Sequence, residues 1–244
     1  MVENTLLRFV KKLKPYTILK GLRYMKHYGL KDFIIRLQER MEPEEIPYAL
    51  WYMQHKASDE TLDKQKKHKW IQPPLISIAV PAYHTPKVFL RQLLETLIEQ
   101  TYFHWELCMV NASTETQNMV EISENTNVAF SMAKGSFIGI LDHDDLLSPD
   151  ALYEIALRIQ KEKADFIYTD EDKVTANLRE HYQPHVKPDF NLDLLRSNDY
   201  ICHFLVVKKS LIEKAGGFRK EFDGAQDYDF IFRCSELAEH IVHV

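Results

Sequence analysis

The pattern of apolar and polar positions changes character near residue 70. Before it, apolar residues recur at helical spacing among many lysines and arginines, and the stretch ends in the polar run from Asp59 to Lys69. Pro73-Pro74 marks the change. From there short apolar runs alternate with amphipathic stretches. Leu75-Ile76-Ser77-Ile78-Ala79-Val80 predicts a buried strand and Pro81 to Pro86 the loop after it. Val88 to Gln100 predicts a helix with Leu90, Leu93, Leu94, Leu97 and Ile98 on its inner side. Strands are expected at Glu106–Val110, Ser136–Leu141 and Asp165–Tyr168, and helices at Asn125–Lys134, closed by Gly135, and Pro149–Lys163. Strands alternating with helices give an α/β class, a mostly parallel sheet flanked by helices. The expected division is a basic helical segment over 1–70 and an α/β domain over 71–244.

The run Asp142-His143-Asp144-Asp145 follows the strand at 136–141. Three carboxylates crowded at a strand end repel one another, and a hard divalent cation such as Mg²⁺ or Mn²⁺ relieves that charge through oxygen ligands. Asp142 and Asp144, two apart, can both face a site at the carboxyl edge of the sheet, where open α/β sheets bind ligands. A calcium EF-hand loop does not fit, because the fifth, sixth and twelfth positions from Asp142 are Leu146, Leu147 and Tyr153. The alternative is a solvated turn ahead of a helix. Ser148-Pro149 reads as a helix start with Ser148 as cap, which leaves the three earlier acids without a purpose.

Bulk properties narrow the classes. The 244 residues, 45% hydrophobic and 27% charged, are globular values, and a net charge of -5 leaves no nucleic-acid footprint. Cys108, Cys202 and Cys234, odd in number, read as thiols in a reducing compartment. No apolar run approaches the roughly 18 residues of a membrane span, and the start lacks a secretory pattern. The expected location is cytoplasmic. Residues 1–40, however, carry ten Lys or Arg against three acids. Leu6, Leu7, Phe9, Val10 and Leu13 lie among them at helical spacing. Such a segment either lies on an anionic membrane surface, here the inner face of the cell membrane, or packs on the main domain with its lysines outward. With seven glycines, neither G-x-G-x-x-G nor G-x-x-x-x-G-K-[ST] occurs, which excludes an ordinary dehydrogenase or P-loop enzyme.

Several segments together carry a resemblance. They are Leu75 to Tyr83, Gln100 to Cys108, Ala133 to Ile138, Leu141 to Asp145, Ile167 to Lys173, Lys187-Pro188-Asp189, Gly216-Gly217-Phe218-Arg219 and Gln226-Asp227-Tyr228-Asp229. In this order the chain resembles glycosyltransferase family 2 enzymes of the GT-A fold, among them bacterial enzymes of O-antigen, capsule and rhamnan-type polysaccharide assembly. The resemblance spans about residues 70 to 244. It implies a nucleotide-sugar donor, such as a UDP-sugar or dTDP-rhamnose, a glycan or lipid-linked acceptor, a divalent metal and an inverting transfer. By resemblance Pro81, Ala82, Tyr83 and Asn111 lie against the nucleotide. Asp142 and Asp144 form the D-x-D pair, with Asp144 the direct metal ligand. Gly217 lets backbone approach the sugar or acceptor, and Asp227 is the general base that deprotonates the acceptor hydroxyl. Asp227 also reads as a first-turn helix acid. Asp170, Glu171 and Asp172 read as a sugar or acceptor contact or as a charged turn, and His185 and His203 as structural or acceptor-proximal.

Three features depart from the family pattern. Asn111 stands where the family has Asp, keeping an acceptor oxygen without the charge. Only 31 positions separate Asn111 from Asp142, too few for the helix and edge strand the family has there. The chain also stops at Val244, short of a segment that closes the family's site. A second reading is therefore an inactive GT-A domain serving as a scaffold, or a fragment of a longer enzyme. A metal-dependent nucleotidyltransferase is a third, disfavoured by the Gly-Gly-Phe to Gln-Asp segment.

Overall fold

A computed structural model describes residues 20, 23–34, 46–112 and 122–244, with backbone alone at 83, 111, 112 and 122. Of the basic segment over 1–40, residues 23–34 are helical and nearly all of the rest lies outside the described residues. The chain divides into two compact units, residues 1–51 and 52–244. The second begins ahead of the expected boundary near 70. The polar run that ends the basic helical segment contains α2 (Asp59–Lys66), which follows α1 (Tyr48–His55). Gln65 of α2 is buried, accepts from Thr101 Oγ1 at 2.9 Å and donates to Glu154 Oε1 at 3.3 Å. Trp70 packs edge-on against Tyr102 and Tyr153.

The remaining elements are β1 (Ile76–Tyr83), α3 (Lys87–Ile98), β2 (Trp105–Ala112), α4 (Ile122–Met132), β3 (Phe137–Ile140) and α5 (Ala151–Glu162). Then come β4 (Phe166–Tyr168), β5 (Glu171–Val174), β6 (His181–His185), α6 (Leu192–Ser197), β7 (Leu205–Lys208), α7 (Lys209–Ala215), α8 (Gln226–Leu237) and β8 (Ile241–His243). One six-stranded sheet runs β2-β1-β3-β7-β4-β8, and β5 and β6 pair separately. All strands of the large sheet are parallel except β7, which runs against both β3 and β4. Side chains alternate across it with the period of two that a pleated strand imposes. Ile76, Ile78 and Val80 face a core under α3 and α5, while Ala79, Ile138 and Ile140 face a second core under α4, α7 and α8.

Several local expectations need correction. β1 continues through Pro81, Ala82 and Tyr83, which pair with Val110, Asn111 and Ala112. Proline is tolerated there because β3 pairs with β1 only as far as Ala79, so beyond it the strand has a single neighbour. On α3 only Leu93 and Leu97 are buried, and Ile98 is 74% exposed, because one further residue swings a side chain about 100° around the helix. α4 ends at Met132, and Gly135 lies instead in the bend before β3, its amide donating to Ser77 Oγ and Glu106 Oε1. Ser148 does not cap α5, whose first residue is Ala151. Gln100 does that work, donating to Ser148 O at 2.8 Å and accepting from Leu152 N at 3.0 Å.

Candidate active site

The site follows from register. β1, β2 and β3 are parallel, so their carboxyl ends share one edge of the sheet. β7 is antiparallel, with Leu205 opposite both Ile140 and Tyr168, so the residues just before Leu205 arrive at that same edge. Asp142 and His203 therefore meet, His203 Nε2 lying 3.7 Å from Asp142 Oδ2. A turn closed by Asp145 N donating to Asp142 O at 3.2 Å folds Asp145 back beside them.

The loop that carries His203 is fastened by a buried cation. Lys187, whose side chain is wholly buried, donates from Nζ to Ile201 O and His203 O, each at 2.6 Å, and to Glu171 Oε2 at 3.3 Å. Burial pulls this lysine below its ordinary pKa, with Glu171 opposing. Glu171 also accepts from His203 N at 3.1 Å, and Phe204 N donates to Thr169 Oγ1. Phe204 in turn occupies the space over Gly139, where an added Cβ would lie 2.6 Å from the ring.

Asp142, Asp145 and His203 offer ligand atoms within 4.8 Å of one another. Burial pushes the Asp145 carboxyl up to about 6, with Asp142, Asp144 and Glu171 adding to the rise and His203 opposing it. A divalent ion would relieve that crowding, so the donor set fits one. Asp144 stands outside this set. Its side chain is 55% exposed, 3.6 Å from His143 Nδ1.

Asp227 sits in the first turn of α8 and lines a small pocket with Ile140, His203, Leu205 and Phe230. Burial raises its pKa, His203 opposes the rise, and Asp142 and Asp199 add to it. The acid at the head of α8 thus shares the electrostatic field of the strand-end cluster. Its helix is anchored by Asp229, which Arg219 and Arg233 both grip. Burial pushes Asp229 up, but the two guanidinium groups outweigh it and hold the carboxyl below its ordinary range. Arg233 also donates to Ala215 O and to Gly217 O, tying the preceding loop to α8.

The other residues singled out from sequence fall as follows. Pro81 is half-buried and Ala82 buried, on the part of β1 that projects past the end of β3. The side chains of Tyr83 and Asn111 lie outside the described residues. Gly217, at φ +68, is needed by Asn127, whose Oδ1 would lie 2.5 Å from an added Cβ and accepts from Phe218 N at 2.8 Å. No ligand is required to account for that glycine. Asp170 accepts from Lys187 N and contacts His243, and Asp172 contacts His181, so both have protein partners. Sequence reasoning read His203 as structural or acceptor-proximal, counted Asp145 only within the acidic run, and gave Lys187 no role of its own. Asp145 was visible within the acidic run, whereas His203 and Lys187 carry no spacing signal.

Residues 114–216 match the family model described as glycosyl transferase family 2. The O-antigen biosynthesis protein RfbC of Myxococcus xanthus is 32% identical over 225 residues, covering 83% of this chain and 18% of that protein. The uncharacterized protein y4gI of Sinorhizobium fredii is 36% identical over 189 residues, covering 68% of this chain and 21% of that protein. The chain thus spans about a fifth of the length of these relatives. Among solved structures, residues 1–349 of S. aureus TarS in complex with UDP superpose with a TM-score of 0.56 at 20% identity, over 69% of this chain and 57% of that one.

Proposed function

We propose that this chain, which carries a glycosyltransferase family 2 domain on the GT-A fold, moves a sugar from a nucleotide-sugar donor to a growing cell-surface polysaccharide or lipid-linked glycan with inversion. The observation that carries the reading is the convergence of Asp227 with the Asp142–His203 pair at the carboxyl edge of the sheet. The relative named for O-antigen biosynthesis supports the glycan acceptor, and TarS bound to UDP supports a uridine-type donor, with dTDP-sugars the alternative.

In this reading the donor lies along the projecting ends of β1 and β2, its diphosphate toward Asp142. Asp142, Asp145 and His203 would hold a divalent cation, with Asp144 beside them. Two carboxylates and an imidazole suit Mn²⁺ better than Mg²⁺, which prefers oxygen alone. When bound, the ion supplies charge stabilisation for the departing diphosphate. Asp227 accepts the proton of the acceptor hydroxyl as that oxygen bonds to the anomeric carbon and the bond to the diphosphate breaks. Burial makes it a stronger base than an ordinary aspartate. The apolar wall of Ile140, Leu205 and Phe230 keeps water from competing for the same carboxylate.

The test compares Asp227→Asn with Asp142→Asn and Asp144→Asn. Asp227→Asn should lower transfer or donor hydrolysis by about 10²–10⁴-fold with nucleotide binding retained. Asp142→Asn should lose Mn²⁺-dependent nucleotide binding, and Asp144→Asn should weaken it less. A parent chain that neither binds any nucleoside diphosphate with Mn²⁺ nor hydrolyses any donor would favour the inactive scaffold instead. Among the described residues no helix is long and apolar enough to cross a membrane. We further propose that the basic segment over 1–40 holds the chain to anionic bilayers. Liposome flotation that falls with rising salt checks this, and equal flotation by a chain starting near Gln72 would reject it.

A further inference from the structure

Beside the acidic cluster lies a second group of donors that differs from it in chemical hardness. Glu171 on β5 and His185 on β6 are directly opposed in register, so their side chains share one face of that small sheet. Glu171 Oε1 lies 3.0 Å from His185 Nδ1. Cys202, from the loop before β7, brings its sulfur to the pair, and the three ligand atoms lie within 4.8 Å of one another. Cys202 is the one cysteine of the three that is only half-buried, and His185 is partly open to water, so an ion has a path in. Lys187 takes the other oxygen of Glu171 and leaves Oε1 facing His185.

We propose that Glu171, His185 and Cys202 form a binding site for a thiophilic divalent cation, Zn²⁺ or its analogue Co²⁺, distinct from the hard-ion cluster at Asp142. Thiolate, imidazole and carboxylate are the donors zinc takes, with water completing a tetrahedron, whereas Mg²⁺ and Mn²⁺ have no use for sulfur. Binding releases the proton of the thiol and, only from a charged imidazole, one from His185, since a neutral ring keeps its proton on Nε2; the carboxylate contributes none. Because Cys202 and His203 are consecutive, an ion on the sulfur also restrains the backbone that holds His203 beside Asp142. Occupancy of this site therefore adjusts the neighbouring one.

The experiment uses the full chain stripped with chelator and titrated with Co²⁺. The expected result is the ultraviolet charge-transfer band of a cobalt–thiolate bond, displaced by Zn²⁺ and left in place by excess Mg²⁺. Cys202→Ser should abolish the band, and His185→Gln should weaken Zn²⁺ affinity by at least about tenfold. Asp193→Asn, at an exposed acid on α6, should leave both readouts unchanged. A parent chain without the band overturns the proposal. So does a band that survives Cys202→Ser, which would place the ion on another cysteine. If Cys202→Ser unfolds by circular dichroism, the His185→Gln titration decides, and unchanged Zn²⁺ affinity there overturns the site.

Discussion

Replacing Lys187 with Met tests how the site is held. Met keeps most of the length of the stem and fills the same buried space, so packing is nearly conserved while three donors vanish. Two of them are short bonds to Ile201 O and His203 O, and hydrogen bonds from a charged group are worth about 1.5–3 kcal/mol each. That gives about 3–6 kcal/mol before offsets. Removing the lysine also removes its own burial penalty, visible in its lowered pKa, and Glu171 keeps some water at 32% exposure. The net loss should therefore fall at the lower end, about 3 kcal/mol, within the range for breaking one side of a buried pair. For a unit of this size that lowers Tm by on the order of 10 °C. Urea unfolding followed by circular dichroism measures it, with Lys187→Met, Glu171→Gln and the double variant forming a cycle. The double variant should be less destabilised than the sum, since each single change strands the partner of the other. A midpoint for Lys187→Met within about 0.5 kcal/mol of the parent, or strict additivity, would refute the claim that this lysine fastens the loop.

Two further outcomes are expected. Asp145 has its folded pKa raised to about 6 from an ordinary 3.8, so its contribution to the stability of the ion-free chain is present below 3.8 and lost as pH rises through about 6. Asp145→Asn should flatten that part of a Tm-against-pH curve and raise Tm above pH 6, and an unchanged slope would show that the carboxyl is not crowded. Gly217→Ala should destabilise by about 1–3 kcal/mol, because it meets Asn127 in a backbone region that favours glycine. Thermal unfolding checks this, and normal stability with a raised KM for donor would restore a ligand-facing role.

Much of the sheet was legible because buried parallel strands are written as contiguous apolar runs, and β1 to β4 could be found without knowing their neighbours. Their order could not. Leu205-Val206-Val207 reads no differently from the parallel strands, yet its reversed direction is what delivers His203 to Asp142. The acid run could be named from sequence because charge at a strand end has local meaning, whereas Asp227 was named by its place in the family pattern, since an acid at a helix start is read locally as no more than a first-turn residue. Lys187 acts through carbonyls 14 and 16 positions away, contacts that no spacing rule predicts. Pro81 misled for a different reason. A proline after an apolar run reads as a strand's end, and only the absence of a second neighbour beyond Ala79 makes it acceptable inside one.

The reversed direction of β7 also sets which insertions and deletions this chain can accept. Between Asp189 and Tyr200 the path is a short helix, α6, and its turns, outside every strand pairing of the large sheet. Leu195 and Tyr200 pin that path to the core and Tyr228 Oη donates to Leu195 O, so only the exposed positions 196–198 between them can take up a residue gained or lost. From Cys202 to Leu205 there is no such slack, because Leu205 is fixed opposite Ile140 and Tyr168. One residue deleted between His203 and Leu205 would shift the preceding chain by about 3.3 Å and turn each side chain to the opposite face. The thiol would then sit where the imidazole belongs, so the two donor clusters tolerate no length change in those four positions.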